Sequence, residues 1–215
     1  MQPNANGILR RFGINVEDFG GNLMLRHTEY EADGLTIKSA SLENVQKMWQ
    51  HPWMLVHRVH LHAALCKAAV ERGADLQYSR RVAAVDAQNA AVTLADGTEL
   101  QGDLIIGADG VSSISRTQVP GGHVKAFSSG KSAFRFLLTK SRIDDPRLDK
   151  FLKAPEGELV IQMANDRKVV IYPCGNNELL NFVCIHPDTE TSAPLPVDGK
   201  QAAEQSQVPL ADTQV

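Results

Sequence analysis

Between Asp103 and Arg116 the chain reads DLIIGADGVSSISR. This stretch sets a carboxylate, Asp109, beside three hydroxyls, Ser112, Ser113 and Ser115, and a guanidinium, Arg116. Hydroxyls donate and accept hydrogen bonds, and a guanidinium is a fixed positive fork. Gly107 and Gly110 carry no Cβ, so the backbone there can turn sharply and pass close to a ligand. The apolar, β-branched run Leu104-Ile105-Ile106 stops at Gly107, and this predicts a buried strand running into the turn. Asp109 then falls where a strand end in an open α/β sheet meets a cofactor crevice.

Three further residues invite a chemical reading. Arg135 lies in the apolar run AFRFLL (133–138), on the opposite side of the pleat from Phe134 and Phe136, and a charge in such a strand needs a partner or a ligand. Arg58 opens the predicted helix His57–Gly73, where a cation is mildly unfavourable against the helix dipole, which favours a functional reason for it. Tyr172 lies in YPCGNNELLNFVCIH (172–186). His57, His60 and His62 do not share one helical face, and no carboxylate or cysteine stands at ligand spacing, so no metal site is expected.

The stretch Asp109–Arg116 resembles the second FAD/NAD(P)H motif of the single-component flavin-dependent monooxygenases, the salicylate hydroxylase-like group. Asp109, Gly110, Ser113 and Arg116 match the motif's positions, and the resemblance implies that they bind FAD. Arg58-Val59-His60-Leu61-His62 is similar to a second family segment, whose arginine contacts FAD, which implies that role for Arg58. The segment from Tyr172 to His186 resembles the tyrosine-proline strand, turn and following strand of the family's substrate domain. The implied fold is α/β, mixed with α+β features: a partial Rossmann-like FAD-binding domain over 1–119 and an antiparallel substrate-domain sheet over 120–186. The implied activity is hydroxylation of a phenolic small molecule with FAD, NADPH and O2, of the fungal secondary-metabolism type, with Arg135 polarising the phenol and Tyr172 as hydrogen-bonding or proton-relay partner. No GxGxxG loop occurs in the sequence, and the family's GD motif near the C-terminus is also missing, so a truncated chain is expected. The alternative is a non-catalytic remnant or a partner chain.

The remaining elements must position these groups. Asn4 or Asn6 is expected to cap a short helix with Ile8, Leu9 and Phe12 on its apolar face, ended by Gly13. Ala32-Asp33-Gly34 reads as a hairpin turn. In the helix His57–Gly73, Leu61 is followed by Leu65, Ala68 and Ala69 at helical spacing. Residues 76–100 read as a β-hairpin with Val82, Val85, Val92 and Leu94 as core candidates. The glycine- and serine-rich stretch 120–132 reads as a connector and a domain boundary. Strands are expected over 159–163, 168–173 and 179–186.

With 22 Lys and Arg against 25 Asp and Glu, net charge is −3, and no electrostatic case exists for nucleic acid or an anionic membrane. Of the 215 residues, 43% are hydrophobic, enough for a packed core. Three cysteines without a CxxC suggest a reducing compartment, and the cytoplasm is expected. No apolar run reaches membrane-spanning length. Residues 187–215 hold no aromatic residue and no periodicity, and are predicted to be disordered.

Overall fold

The computed structural model describes residues 1–124, 127–146 and 156–190. It divides into two compact units. Residues 1–76 and 130–190 form the first, and residues 77–129 form the second. One boundary falls inside the connector expected at 120–132. The other, after Leu76, differs from the expected single break near residue 120. The cause is a long-range pairing: β2 (Arg26–Glu31) runs parallel to β9 (Glu158–Met163), with Thr28 opposite Val160.

That pairing builds the six-stranded sheet of the first unit. Its order is β3 (Thr36–Ser41), β2, β9, β10 (Lys168–Cys174), β11 (Leu179–Pro187) and β8 (Lys131–Thr139). The three strands expected between 159 and 186 are present, antiparallel and in continuous register. Side chains alternate across the pleat. One face presents Val160, Ile171, Leu180 and Phe182, which form a buried core with Phe136 and Leu138 packed on it. The Phe136 and Phe182 rings stack at 4.8 Å with only 2° between their planes. The hairpin expected at Asp33-Gly34 joins β2 to β3, with the Leu35 N–H donating to Asp33 Oδ1 at 2.9 Å.

A second core joins α1 (Pro3–Arg11) to α3 (Arg58–Glu71). It buries Leu9, Ile14, Val16 and Met54, with Leu61, Ala64 and Ala68 packed against them. Both helices end alike. The Gly13 and Gly73 amides donate to Arg10 O and Val70 O, and the next amides, of Ile14 and Ala74, donate to Leu9 O and Ala69 O. This is the paired closure that satisfies the last helical carbonyls, with a left-handed glycine at the stop. The helix faces differ in detail from expectation. Ile8 and Phe12 of the first, and Leu65 of the second, are exposed, because Leu9 and the Leu61–Ala64–Ala68 row take the core positions. Gln2, not Asn4 or Asn6, stands at the first helix's N-cap; Asn6 is fully buried and donates to Pro52 O at 3.0 Å. Short strands β1 (Asn22–Leu23) and β4 (Met54–Leu55) pair nearby, and α2 (Glu43–Met48), not anticipated in the sequence, follows β3.

The second unit holds a three-stranded antiparallel meander, β5 (Val82–Asp86), β6 (Ala91–Leu94) and β7 (Glu99–Gln101), where a two-stranded hairpin was expected. Leu94 is its buried anchor. The expected strand Leu104–Ile106 is not a strand. Among the described residues nothing pairs with it, and a strand without ladder partners gains no backbone bonds. Leu104 is 77% exposed and Ile106 81%. Pro187 ends β11 and residues 188–190 form a short 3-10 turn, so disorder does not begin at 187; the rest of that expectation lies outside the described residues. No helix among the described residues is long and apolar enough to cross a membrane.

Candidate functional site

The second unit brings Asp109, Gly110, Ser113 and Arg116 together in one loop. The Asp109 carboxylate is its hub. Oδ1 accepts from the Ser113 hydroxyl at 2.7 Å and the Ser115 hydroxyl at 2.6 Å. Oδ2 accepts from the backbone amides of Ile114 at 2.8 Å and Ser115 at 3.0 Å. The Ser113 hydroxyl in turn accepts from the Arg116 amide at 3.0 Å. Aspartate folds loops in this way because its short side chain reaches backbone donors a few residues on. The Ser115 and Ser113 donors hold the Asp109 carboxyl far below the usual carboxylate range.

Two glycines make the loop possible. Gly110 sits at φ +74°, a region a side chain would strain, and open space surrounds the position its Cβ would take. A Cβ on Gly107 would overlap the Ser115 hydroxyl. The Arg116 guanidinium folds over the turn, with Nη2 donating to Val111 O at 2.9 Å and Gly110 O at 3.3 Å. Among the described residues its acceptors are these two carbonyls, out of five N–H groups it can donate. Beside the loop lies a hollow of about 350 Å³ lined by Val85, Ile105, Gly110, Arg116 and Val119 among others. Ser115, which the motif comparison passed over, carries as much of the loop as Ser113; its signal in the sequence was the second hydroxyl at alternate spacing.

The first unit holds the other three residues. Arg58 is the first residue of α3 and is exposed. Arg135 and Tyr172 share one face of the six-stranded sheet, opposite the Phe182 core. Tyr172 pairs with Asn181 across β10 and β11, and Asn181 pairs with Leu137 on β8, two residues from Arg135. Arg135 is exposed rather than sequestered, so the apolar run does not bury it; β8 is an edge strand and the charge reaches solvent. Tyr172 is half-buried. Burial and the Cys174 thiol push its phenol above the ordinary value, and Arg135 pulls the other way. The Cys174 thiol, wholly buried, is itself pushed up to about 11. The sequence also missed the His27–Glu29 pair on this face, at 3.5 Å. Cys66, Cys174 and Cys184 are free thiols.

The fold is shared with proteins of known structure. HpxO of Klebsiella pneumoniae, solved with FAD and uric acid, superposes with a TM-score of 0.70 at 21% identity, over 92% of this chain and 48% of that one. The sequence matches the FAD binding domain family over residues 14–211, and the chain belongs to that family. Hispidin-3-hydroxylase of Neonothopanus nambi is 30% identical over 205 residues, covering 87% of this chain and 49% of that protein. The FAD-dependent monooxygenase phomE' of Diaporthe leptostromiformis is 29% identical over 208 residues, covering 89% and 50%. The chain thus spans about half the length of the curated relatives it matches.

Proposed function

We propose that this chain is the flavin-gripping and ring-positioning part of an FAD-dependent, NADPH- and O2-using hydroxylase of phenolic small molecules, acting in the cytoplasm. One observation carries the reading: the Asp109–Arg116 loop is held in shape by its own side chains, with a guanidinium left to face an anion. The residues present fit part of FAD. Gly110 leaves open space for close approach, and Arg116 offers a fixed fork suited to a pyrophosphate. Redox chemistry with NADPH and O2 is what FAD supplies when bound.

In this reading Asp109 shapes the loop and does not touch the cofactor, because its two oxygens already accept four bonds. Arg58 supplies a second positive contact. On the sheet face, Arg135 holds the oxygen of an electron-rich ring, since a nearby cation stabilises a phenolate. Tyr172, its phenol kept protonated by burial, donates a hydrogen bond to the same ring substituent. The relatives named as hydroxylase and monooxygenase support the reaction class.

The test is direct. Purified protein is expected to retain flavin absorbance after FAD is added and excess is removed, and to add one hydroxyl to a phenolic probe with NADPH in air. A colourless protein that is indifferent to FAD would overturn the proposal. A second reading, a non-catalytic partner chain, draws on the exposed Leu104 and Ile106, which suit contact with another polypeptide segment. Flavin retention without any product favours it.

A further inference from the structure

The six-stranded sheet has two outer edges, and they are built differently. At one, β3 is six residues long, carries Lys38, and pairs with β2 through a register shift between Glu29 and Tyr30. Short length, a lysine and a bulge are the usual means of discouraging a further strand. At the other, β8 runs nine residues in unbroken register with β11, from Lys131 opposite Pro187 to Thr139 opposite Leu179. It holds no proline and no bulge. Phe134, 62% exposed, and Leu137, 38% exposed, lie along it.

The hydrogen bonds show which backbone groups this edge offers. Just past one end of β8 the Lys140 amide donates to Glu178 O, and just past the other the Asp188 amide donates to Gly130 O. In an antiparallel ladder, the residues that bond a given neighbour alternate along the strand. The even-numbered residues of β8 therefore bond β11. Ala133, Arg135, Leu137 and Thr139 turn their amides and carbonyls outward, and among the described residues no strand lies beyond them. Such a row of outward donors and acceptors is a template for one more strand.

Charge decides which kind of strand. From Lys131 to Ile143 the charged residues are Lys131, Arg135, Lys140 and Arg142, all cations. Asp166 stands beside Lys131 at one end, while Arg135 lies mid-strand and exposed. A second copy of β8 fits poorly. In a two-fold antiparallel pairing that sets Ala133 opposite Leu137, Arg135 meets its own copy, and like charges directly opposite are destabilising. A carboxylate in that place is attracted instead.

We infer that the outer edge of β8 docks an extended acidic segment of a partner protein, which adds to the sheet as one more strand. Alternate side chains of a strand face opposite sides, so the acids lie beside Arg135 and the apolar residues beside Phe134. This goes beyond the function proposed above and depends on neither flavin nor ring.

The experiment uses the full chain without flavin. The probes are a short end-blocked peptide alternating valine with glutamate and its valine–lysine counterpart. Hydrogen exchange of backbone amides is followed by nuclear magnetic resonance. In the free protein the Arg135 and Leu137 amides are expected to exchange fast, and those of Phe136 and Leu138 slowly. The glutamate peptide is expected to slow Arg135 and Leu137 by on the order of ten-fold or more. The lysine peptide is expected to bind on the order of ten-fold more weakly, since like charges suppress the wrong partner. Leu137→Pro removes one outward amide at an edge position that tolerates proline, and binding is expected to be lost. A glutamate peptide methylated at alternate amides tests the same ladder without altering the protein, and it is expected to give no protection. Equal binding of the two charged peptides, or protection by the methylated one, would overturn the inference, as would no response to the glutamate peptide. Slow exchange at Arg135 and Leu137 in dilute free protein would mean that the chain covers its own edge. Protection that grows with protein concentration would mean a second copy does. Either result would overturn it too.

Discussion

The two units keep their chemistry in place by opposite means. In the six-stranded sheet, Tyr172, Asn181 and Arg135 come together only because β10, β11 and β8 register over long stretches of chain, with β9 and β2 extending the same sheet. In the Asp109 loop the bonds to the carboxylate and from the Arg116 guanidinium are all made within eight residues of chain, from Asp109 to Arg116. Placement on the sheet is cooperative and depends on the Phe182 core. Shape in the loop is local and depends on one carboxylate. The loop can therefore be read from a short motif, whereas the sheet face cannot.

The largest expected effect breaks the sheet alone. Phe182→Ala removes the ring that stacks on Phe136 and should cost about 3–5 kcal/mol of stability, measured by denaturant unfolding. Amide signals from Ile114 and Ser115 are expected to stay near their native positions under conditions where the sheet has begun to melt. Coincident loss of both sets would erase the contrast.

Asp109→Ala breaks the loop alone. Four hydrogen bonds lose their acceptor, and FAD affinity is expected to fall on the order of ten-fold or more, the scale seen when a partner that orients ligand-contacting groups is removed. Far-ultraviolet circular dichroism of the sheet should not change. The same carboxylate gives a pH signature. Its folded pKa is depressed, so its contribution to stability is whole above the ordinary carboxylate value and is lost as pH falls below that value towards the folded one. The carbon signal of the Asp109 carboxyl should accordingly show it still ionised at about pH 3, where ordinary aspartates are mostly protonated. Titration near the ordinary value would contradict the hub assignment.

Smaller effects sharpen the picture. Gly73→Ala forces a side chain into a left-handed stop and should cost roughly 1–2 kcal/mol in the first unit, with no effect on the loop. Arg135→Gln removes the charge that opposes burial at Tyr172, so the phenol should titrate at still higher pH. The difference in ultraviolet titration between this variant and its Tyr172→Phe derivative isolates that ring from Tyr30 and Tyr78. An unchanged midpoint would mean that the two groups do not share a face.

This contrast also explains what the sequence made legible. Asp109, Gly110, Ser113 and Arg116 were picked out by their resemblance to a family motif, and they fall in one loop because the aspartate accepts from donors a few residues on. The strands from 158 to 187 were readable from their alternation and their Asn- and Gly-rich turns. Leu104–Ile106 misled, because an apolar β-branched run states a preference, while a strand also needs a neighbour. The partnership of β2 with β9 joins residues that no local pattern connects, so the break after Leu76 was invisible. Arg135 was expected to need a partner or a ligand. Whether a charge in an apolar strand is buried depends on whether that strand lies at the edge, and sheet order is not written in its own residues.

The most direct test of the central claim, that a self-held loop presents Arg116 to the cofactor, is a titration with FAD read at the amide signals of residues 110–116. Wild type, Arg116→Ala and Asp109→Ala are compared. The expected result is saturable shifts in wild type, native starting positions without response in Arg116→Ala, and displaced positions before any FAD is added in Asp109→Ala. Equal responses in wild type and Arg116→Ala would contradict the account.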